Sequence, residues 1–275
     1  MGLDKFIKSN QSVSKCSAYK KEESYFEVQD LIAEETPVAM VFNGISHAVM
    51  MATPQNLDDF ALGFSVAENI IDSLEDMYGL DIHKTDNGIE LAISISTETF
   101  TRLKENKRSL IGRTGCGLCG TESLNQFKQT QESLNFNASQ AIFFSDNIIK
   151  ALDKFPENQV LQKQTGSTHA SALCSNRGDI LLTREDVGRH NALDKIIGAS
   201  LKLQFSDFST LFLITSSRAS YEMVQKAAKL NICLLVAISA PTALAVRLAD
   251  KLGITLIGFA RNKKYNIYTH KERIK

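Results

Sequence analysis

The sequence predicts an α/β protein in which a smaller α+β domain precedes the main sheet, and three observations carry that prediction. Two short apolar runs, LFLIT at 211–215 and ICLLVAIS at 232–239, each give way to a helix-period segment, YEMVQKAAKL and TALAVRLADKL. Apolar strands that alternate with helices belong to a sheet covered on both faces, with ligands expected beyond the carboxyl ends of its strands. The first hundred residues instead read as hairpins around one helix. Between the two regions, GRTGCGLCG at 112–120 is too rich in glycine for a helix or strand interior, which marks a boundary.

In chain order, the lysine-bearing opening segment holds no apolar run long enough for a secretion signal or a membrane span and is expected to be a polar tail over 1–22. Strand-favouring segments flank Asn43-Gly44, a pair suited to a two-residue hairpin turn. Leu57, Phe60, Ala61, Phe64, Ala67 and Ile71 repeat at three and four residues and predict one apolar helix face, with Asp58 and Asp59 at its positive end. Two strands are expected around Asp86-Asn87-Gly88, and a helix over 98–107. The N-terminal α+β domain is thus placed at 23–108, the glycine-rich cysteine loop and linker at 109–135, and the α/β domain at 136–275.

Within that last region the expectations are a helix over 138–155, a hairpin of 169–174 with 180–184, a helix over 187–203, the two strand–helix units, and a buried strand over 254–259 paired to 265–268. No internal repeat or low-complexity segment interrupts it.

Composition narrows the function classes. The chain has 275 residues, long enough to bury a core without disulfide staples. Its five cysteines are an odd number, and Cys16, Cys174 and Cys233 lie far apart, as in a reducing compartment, so the cytoplasm is the expected location. With 31 basic and 31 acidic residues the net charge is zero, and the chain offers nucleic acid no overall attraction. Charge is uneven at the C-terminus, where Arg261, Lys263, Lys264, Lys271, Arg273 and Lys275 face Glu272 alone. That segment is either a solvated tail or a site for an anion.

Three chemistries suit Cys116 and Cys119. Structural zinc needs four ligands, and no second cysteine pair exists, so His169 and His190 would have to converge on the loop; no metal is expected. A thioredoxin-like dithiol sits at a helix N-terminus, whereas these cysteines are flanked by glycine. The third is a thiol that travels, one cysteine holding a sulfane sulfur as a persulfide and the other helping its release. Deaminase chemistry is disfavoured, because no H-x-E precedes the pair and Gly115 stands where that zinc signature has proline.

Thr183–Lys195, TREDVGRHNALDK, gathers functional side chains around a helix start. It reads either as a strand end with Asp186 capping a charged first turn, or as Arg184, Arg189 and His190 facing a phosphate or a partner's thiol. TSSRAS at 215–220 and SAPT at 239–242 each lie where a strand turns into a helix, with Ser220 and Thr242 as the expected caps. Exposed N–H groups there, with Arg218 and the segment FARNKK at 259–264, suggest a groove for a phosphorylated ligand. No P-loop motif is present.

These blocks together resemble the FdhD family of formate dehydrogenase accessory proteins. TPQNLDDFALGFSVAENII, CGLCG, TGSTHASALC, REDVGRHNALDKIIG, SYEMVQKAAK, SAPTALAVRLADKLGITLIGFAR and YNIYTH are similar to that family's motifs, in its order. The resemblance implies a cytidine deaminase-like α/β domain without the deaminase zinc ligands, a homodimer, and a sulfurtransferase that receives persulfide sulfur from a cysteine desulfurase. The sulfur would pass to the molybdenum cofactor, in its bis(molybdopterin guanine dinucleotide) form, of the formate dehydrogenase apoenzyme. Carried onto this chain, Cys116 is the persulfide cysteine and Cys119 its partner. Phe259, Ala260, Arg261, Asn262, Lys263 and Lys264 hold the cofactor transiently, guanine nucleotide serving as a partial mimic, and no cofactor is permanently bound. The alternative class is a non-catalytic cofactor-binding chaperone whose C-x-x-C binds zinc or regulates docking. Ser217 and Asn262 stand where the family usually has glycine.

Overall fold

The computed structural model describes residues 6–8, 12–111, 141–203 and 207–275. Cys116 and Cys119 lie outside the described residues.

The chain opens as a ribbon. Strands β1 (Phe6–Lys8), β2 (Val13–Lys21) and β3 (Tyr25–Ala33) form an antiparallel sheet, β2 and β3 pairing without a slip from Val13 opposite Ala33 to Lys21 opposite Tyr25. The polar tail expected over 1–22 is thus, from Val13 onward, a strand. A ribbon open to solvent along most of its length has no buried side, so VSKCSAYKK lacks the alternation that announces a strand.

The second sheet is built as expected. Strands β4 (Thr36–Phe42) and β5 (Ile45–Ala52) are joined by Asn43 and Gly44 with φ of 44° and 79°, the two positive values a type I′ turn needs. The Asn43 side chain then clamps the end of strand β7 (Gly88–Ile95), accepting from Ile95 N and donating to Ile95 O, both at 2.9 Å. With β6 (Met77–Thr85) the order is β5-β4-β7-β6, β4 and β7 running parallel. Helix α1 (Leu57–Ala67) lies on its inner face, where Val38, Met40, Phe42, Leu91 and Ile93 meet Phe60, Ala61 and Phe64. Each of these buried side chains larger than alanine contributes about 1.5–3 kcal/mol. Helix α2 (Thr97–Ile111) follows and is pinned where Arg102 reaches Asp72 and Ile70 O.

The third sheet has the order β13-β12-β11-β10-β8-β9, from strands β8 (His169–Ser175), β9 (Ile180–Asp186), β10 (Leu211–Thr215), β11 (Leu234–Ala237), β12 (Thr255–Arg261) and β13 (Lys264–Ile267). β10, β11 and β12 are parallel; the outer strands are antiparallel. Both faces are covered, as the apolar runs require. Helices α5 (Arg189–Lys202), α6 (Tyr221–Lys229) and α7 (Ala243–Leu252) pack on the face bearing Leu173, Leu213 and Leu235, and helix α3 (Ser145–Lys154) on the face bearing Cys174, Phe212 and Val236. Helix α4 (Val160–Thr165) was not expected. It is a six-residue helix whose first amides, Leu161 N and Gln162 N, donate to Glu185 across the chain at 2.9 and 2.8 Å, a cap no local motif announces.

The two sheets share one core because α1 and α5 touch at backbone distance. A Cβ built on Gly63 would stand 1.7 Å from Asp194 O, and one on Gly198 would stand 2.0 Å from Asp59 O. Gly63→Ala is therefore expected to destabilise the fold by about 3 kcal/mol, the upper range for an overpacked core. Chemical denaturation checks this, and a loss below about 1 kcal/mol would show that the helices part easily.

Candidate functional site

The turns that leave β10, β11 and β12 are laced together by main-chain bonds. Ile238 N donates to Thr215 O (3.0 Å), Thr242 N to Ala219 O (3.0 Å) and Phe259 N to Ser239 O (3.1 Å), and Ala219 bridges Pro241. Gly258 completes the seam: a Cβ there would meet Pro241 Cδ at 2.8 Å and Ser239 O at 3.3 Å. TSSRAS, SAPT and FARNKK, the three segments from which a groove is expected, form one continuous edge at the carboxyl ends of three parallel strands.

Its basic wall is the β12–β13 turn. Phe259, Asn262 and Lys263 have φ of 54°, 53° and 58°. The left-handed backbone costs about 1–2 kcal/mol at an ordinary residue such as Phe259, and less at Asn262, which bonds locally. At the bulge between Gly258 and Arg261, Phe259 turns outward and is 41% exposed. Arg261, Asn262, Lys263 and Lys264 are exposed beside it, while Ala260 is buried in the core under α3, so only its main chain can meet a ligand. An outward aromatic ring beside three cations suits a nucleotide, the ring stacking on a base and the cations facing phosphate.

Of the two caps expected, Thr242 acts, accepting from Ala245 N at 3.2 Å; Ser220 does not, and its buried hydroxyl oxygen has no partner. Ser217, at a position where the family usually has glycine, folds inward, its hydroxyl 3.0 Å from Thr215 Oγ1 and donating to Arg218 O.

TREDVGRHNALDK divides into two functions. Asp186 and Lys195 are both fully buried and 2.6 Å apart. Asp186 also accepts from Thr53 N, Gly188 N and Asn191 Nδ2, while Lys195 donates to Thr53 O at 2.9 Å, so every buried charge finds partners. Burial pulls the Lys195 ammonium below its usual range and Asp186 opposes the pull. Arg184, which one of the two readings turns toward a phosphate or a thiol, donates to Asp59 at 2.7 Å, and Lys202 lies 2.5 Å from the same carboxylate. This half of the motif locks α5 to α1 and to the loop after β5. Asp186 does not cap α5, whose N-cap is Gly188; its carboxylate accepts from Gly188 N ahead of the helix and is the hub of the junction.

The other half faces α6. His190 lies 2.5 Å from Glu222, and one turn further Asp194 accepts twice from Lys226, at 2.6 and 2.8 Å. Burial pushes the Asp194 carboxyl up to about 6 against the pull of Lys226. These two rungs border a pocket of about 630 Å³ with Met50, Phe64 and Glu68 on its walls. His169, at the start of β8, has Nδ1 3.4 Å from Ser216 Oγ and opens on a smaller pocket of about 370 Å³. His169 and His190 do not join a metal-ligand cluster among the described residues. Sequence reasoning missed the Thr53–Asp186–Lys195 hub; the signal was a lysine set among Leu193, Ile196 and Ile197, on a face that must be buried.

The class these features define is a mixed α/β protein whose three parallel strands end at a basic edge carrying an exposed aromatic ring. A family model described as the FdhD/NarQ family matches residues 33–275. The chain is 50% identical over 245 residues to the sulfur carrier protein FdhD of Cupriavidus necator, covering 89% of this chain and 84% of that protein. It is 45% identical over 245 residues to the protein of the same name from Bordetella bronchiseptica, covering 89% and 87%. A crystal structure from Desulfotalea psychrophila, described as a formate dehydrogenase accessory protein, superposes with a TM-score of 0.74 at 23% identity, over 96% of this chain and 100% of that one, and shares the fold. The chain belongs to the FdhD/NarQ family.

Burial holds both site histidines below their ordinary range of about 6.5, and Arg189 lowers each further; Asp186 opposes the shift at His169 and Glu222 at His190. A depressed folded pKa contributes stability that is present above about 6.5 and lost as pH falls through the folded value. Stability is therefore expected to decline on acidification below about pH 6.5, and less steeply in a His169→Gln, His190→Gln double variant. Urea midpoints across that range check it; an unchanged slope would exclude these rings as the cause.

Proposed function

We propose that the protein is a sulfur carrier that serves formate dehydrogenase by loading a sulfane sulfur on Cys116 and releasing it with the help of Cys119. The observation that carries the reading is the kinship itself: relatives 45–50% identical over nearly nine-tenths of the chain bear the name sulfur carrier protein, and this chain has a glycine-flanked C-x-x-C in the linker. In the loading step the Cys116 thiolate attacks the terminal sulfur of a cysteine desulfurase persulfide. A new S–S bond forms on Cys116, the donor S–S bond breaks, and the donor leaves as a thiolate. In release, Cys119 attacks Cys116 Sγ, hydrosulfide departs, and a Cys116–Cys119 disulfide remains for a cellular dithiol to reduce. The electrons balance: two cysteines are oxidised as the sulfane sulfur becomes sulfide.

The recipient is proposed to be the molybdenum cofactor in its bis(molybdopterin guanine dinucleotide) form, bound as substrate in the groove. Phe259 is suited to stack on a guanine and Arg261, Lys263 and Lys264 to meet phosphate, while Ala260 contributes main chain alone. The same reading takes the six-stranded sheet with α5, α6 and α7 as a deaminase-like layer without zinc, and the active unit as a homodimer.

Incubation with a cysteine desulfurase and cysteine is expected to add about 32 Da, one sulfur atom, at Cys116 by mass spectrometry, and to add nothing in Cys116→Ala. An absent adduct on folded protein, or zinc bound stoichiometrically through Cys116 and Cys119, would overturn the carrier reading. Independently, Arg261→Ala is expected to weaken GDP binding by about tenfold in calorimetry, as loss of a charge-assisted phosphate contact should. Unchanged affinity would move the nucleotide elsewhere.

A further inference from the structure

The start of α5 breaks an electrostatic rule. A helix N-terminus carries a partial positive charge and favours acidic neighbours, yet the first turn of α5 holds none and opens instead with Arg189 and His190. Helix α6 begins beside it. The rungs His190–Glu222 and Asp194–Lys226 join residues at matching four-residue steps, so the two helices run side by side in the same direction and their positive ends add.

The polar groups around these ends are under-used. Arg189 Nε is buried with no partner, and the guanidinium makes no hydrogen bond or ion pair among the described residues. Ser220, at the N-cap of α6, leaves its hydroxyl oxygen buried and unpartnered. Ser171 is fully buried, and its hydroxyl also has no partner. Alternation along β8 puts Ser171 on the same face as His169 and Leu173, the face that α5 covers, and its register partner Thr215 leads into the turn before α6. The nearby carboxylates are already engaged: Asp186 by Lys195, Asp194 by Lys226, Glu222 by His190. An orphaned polar set at two helix N-termini, with an unpaired arginine, is the arrangement that binds an oxyanion.

We propose that the paired N-termini of α5 and α6 form a binding site for a phosphate-type oxyanion, held by the Arg189 guanidinium and the Ser220 hydroxyl with His169 and His190 at its sides. The site is built from Arg189 and Ser220 at two helix starts rather than from the 259–264 segment, and it stands whether or not that segment binds guanine nucleotide. Burial is the main cause that lowers both histidines and Arg189 adds to it, so an anion bound here would raise them. The oxyanion has two sources, free phosphate or the phosphoryl group of a nucleotide.

Histidine side-chain NMR of the full chain, titrated with inorganic phosphate against chloride at equal ionic strength, tests the site. Phosphate is expected to move His169 and His190 with saturation and to raise both pKa values, leaving the exposed His83 unmoved. Arg189→Gln is expected to weaken this binding tenfold or more, and Arg189→Lys, which keeps the charge but not the fork, to weaken it less. GDP that reproduces the two shifts assigns the site to a nucleotide phosphate; GDP that leaves them in place while phosphate moves them assigns it to free phosphate. The proposal fails if phosphate moves neither ring in the wild type, whatever becomes of the variants, or if folded Arg189→Gln binds phosphate as tightly as the wild type.

Discussion

Two helices can run at backbone contact only where neither presents a side chain, and Gly63 against Gly198 is where α1 and α5 do so. α1 belongs to the four-stranded sheet and α5 to the six-stranded one, so this contact merges two apolar layers into one core reaching from Val38 to Leu256. It also brings the loop after β5 close enough for Thr53 to bond Asp186 and Lys195. Because two fully buried charges tolerate little displacement, that hub fixes where α5 starts. The position of Arg189 and His190 beside α6 follows from a contact two turns away.

Much of this architecture was legible because the period of apolar residues reports which side of an element is buried. LFLIT is β10 residue for residue, the Asn43-Gly44 hairpin formed as its dihedral preferences require, and the stripe that begins at Leu57 became α1, which ends at Ala67 short of the expected Ile71. What stayed hidden lacked a buried side or a local cause. β2 is polar on both faces, and α4 depends on Glu185, some two dozen residues downstream, to cap it.

For the site, sequence correctly placed the turns after β10, β11 and β12 together, since consecutive parallel strands must end on one edge. It could not tell structural from functional charges within TREDVGRHNALDK. Arg184 and Arg189 differ by five positions and look alike on paper, yet a strand residue facing α1 finds Asp59, whereas the first residue of α5 finds no carboxylate among the described residues. Only the pairing of faces, a long-range property, separates them. The case of Ala260 is similar: its neighbours on the bulge point outward, and strand alternation turns its methyl into the core.

The β2–β3 ribbon has a consequence for how the molecule keeps to itself. Among the described residues β1 covers β2 only from Ser14 to Cys16, and the main chain of β2 from Ser17 to Lys21 has no strand paired on that side, an edge of the kind onto which a foreign strand can dock. Tyr19, Tyr25 and Phe26, exposed on this end, would reward such docking. The ribbon answers with charge: Lys20 and Lys21 lie on the open strand and Glu22 and Glu23 in its turn, so an approaching apolar strand would have to desolvate ions to seat itself. The polarity that hid this strand from its sequence is also what keeps its edge from zipping onto a neighbour.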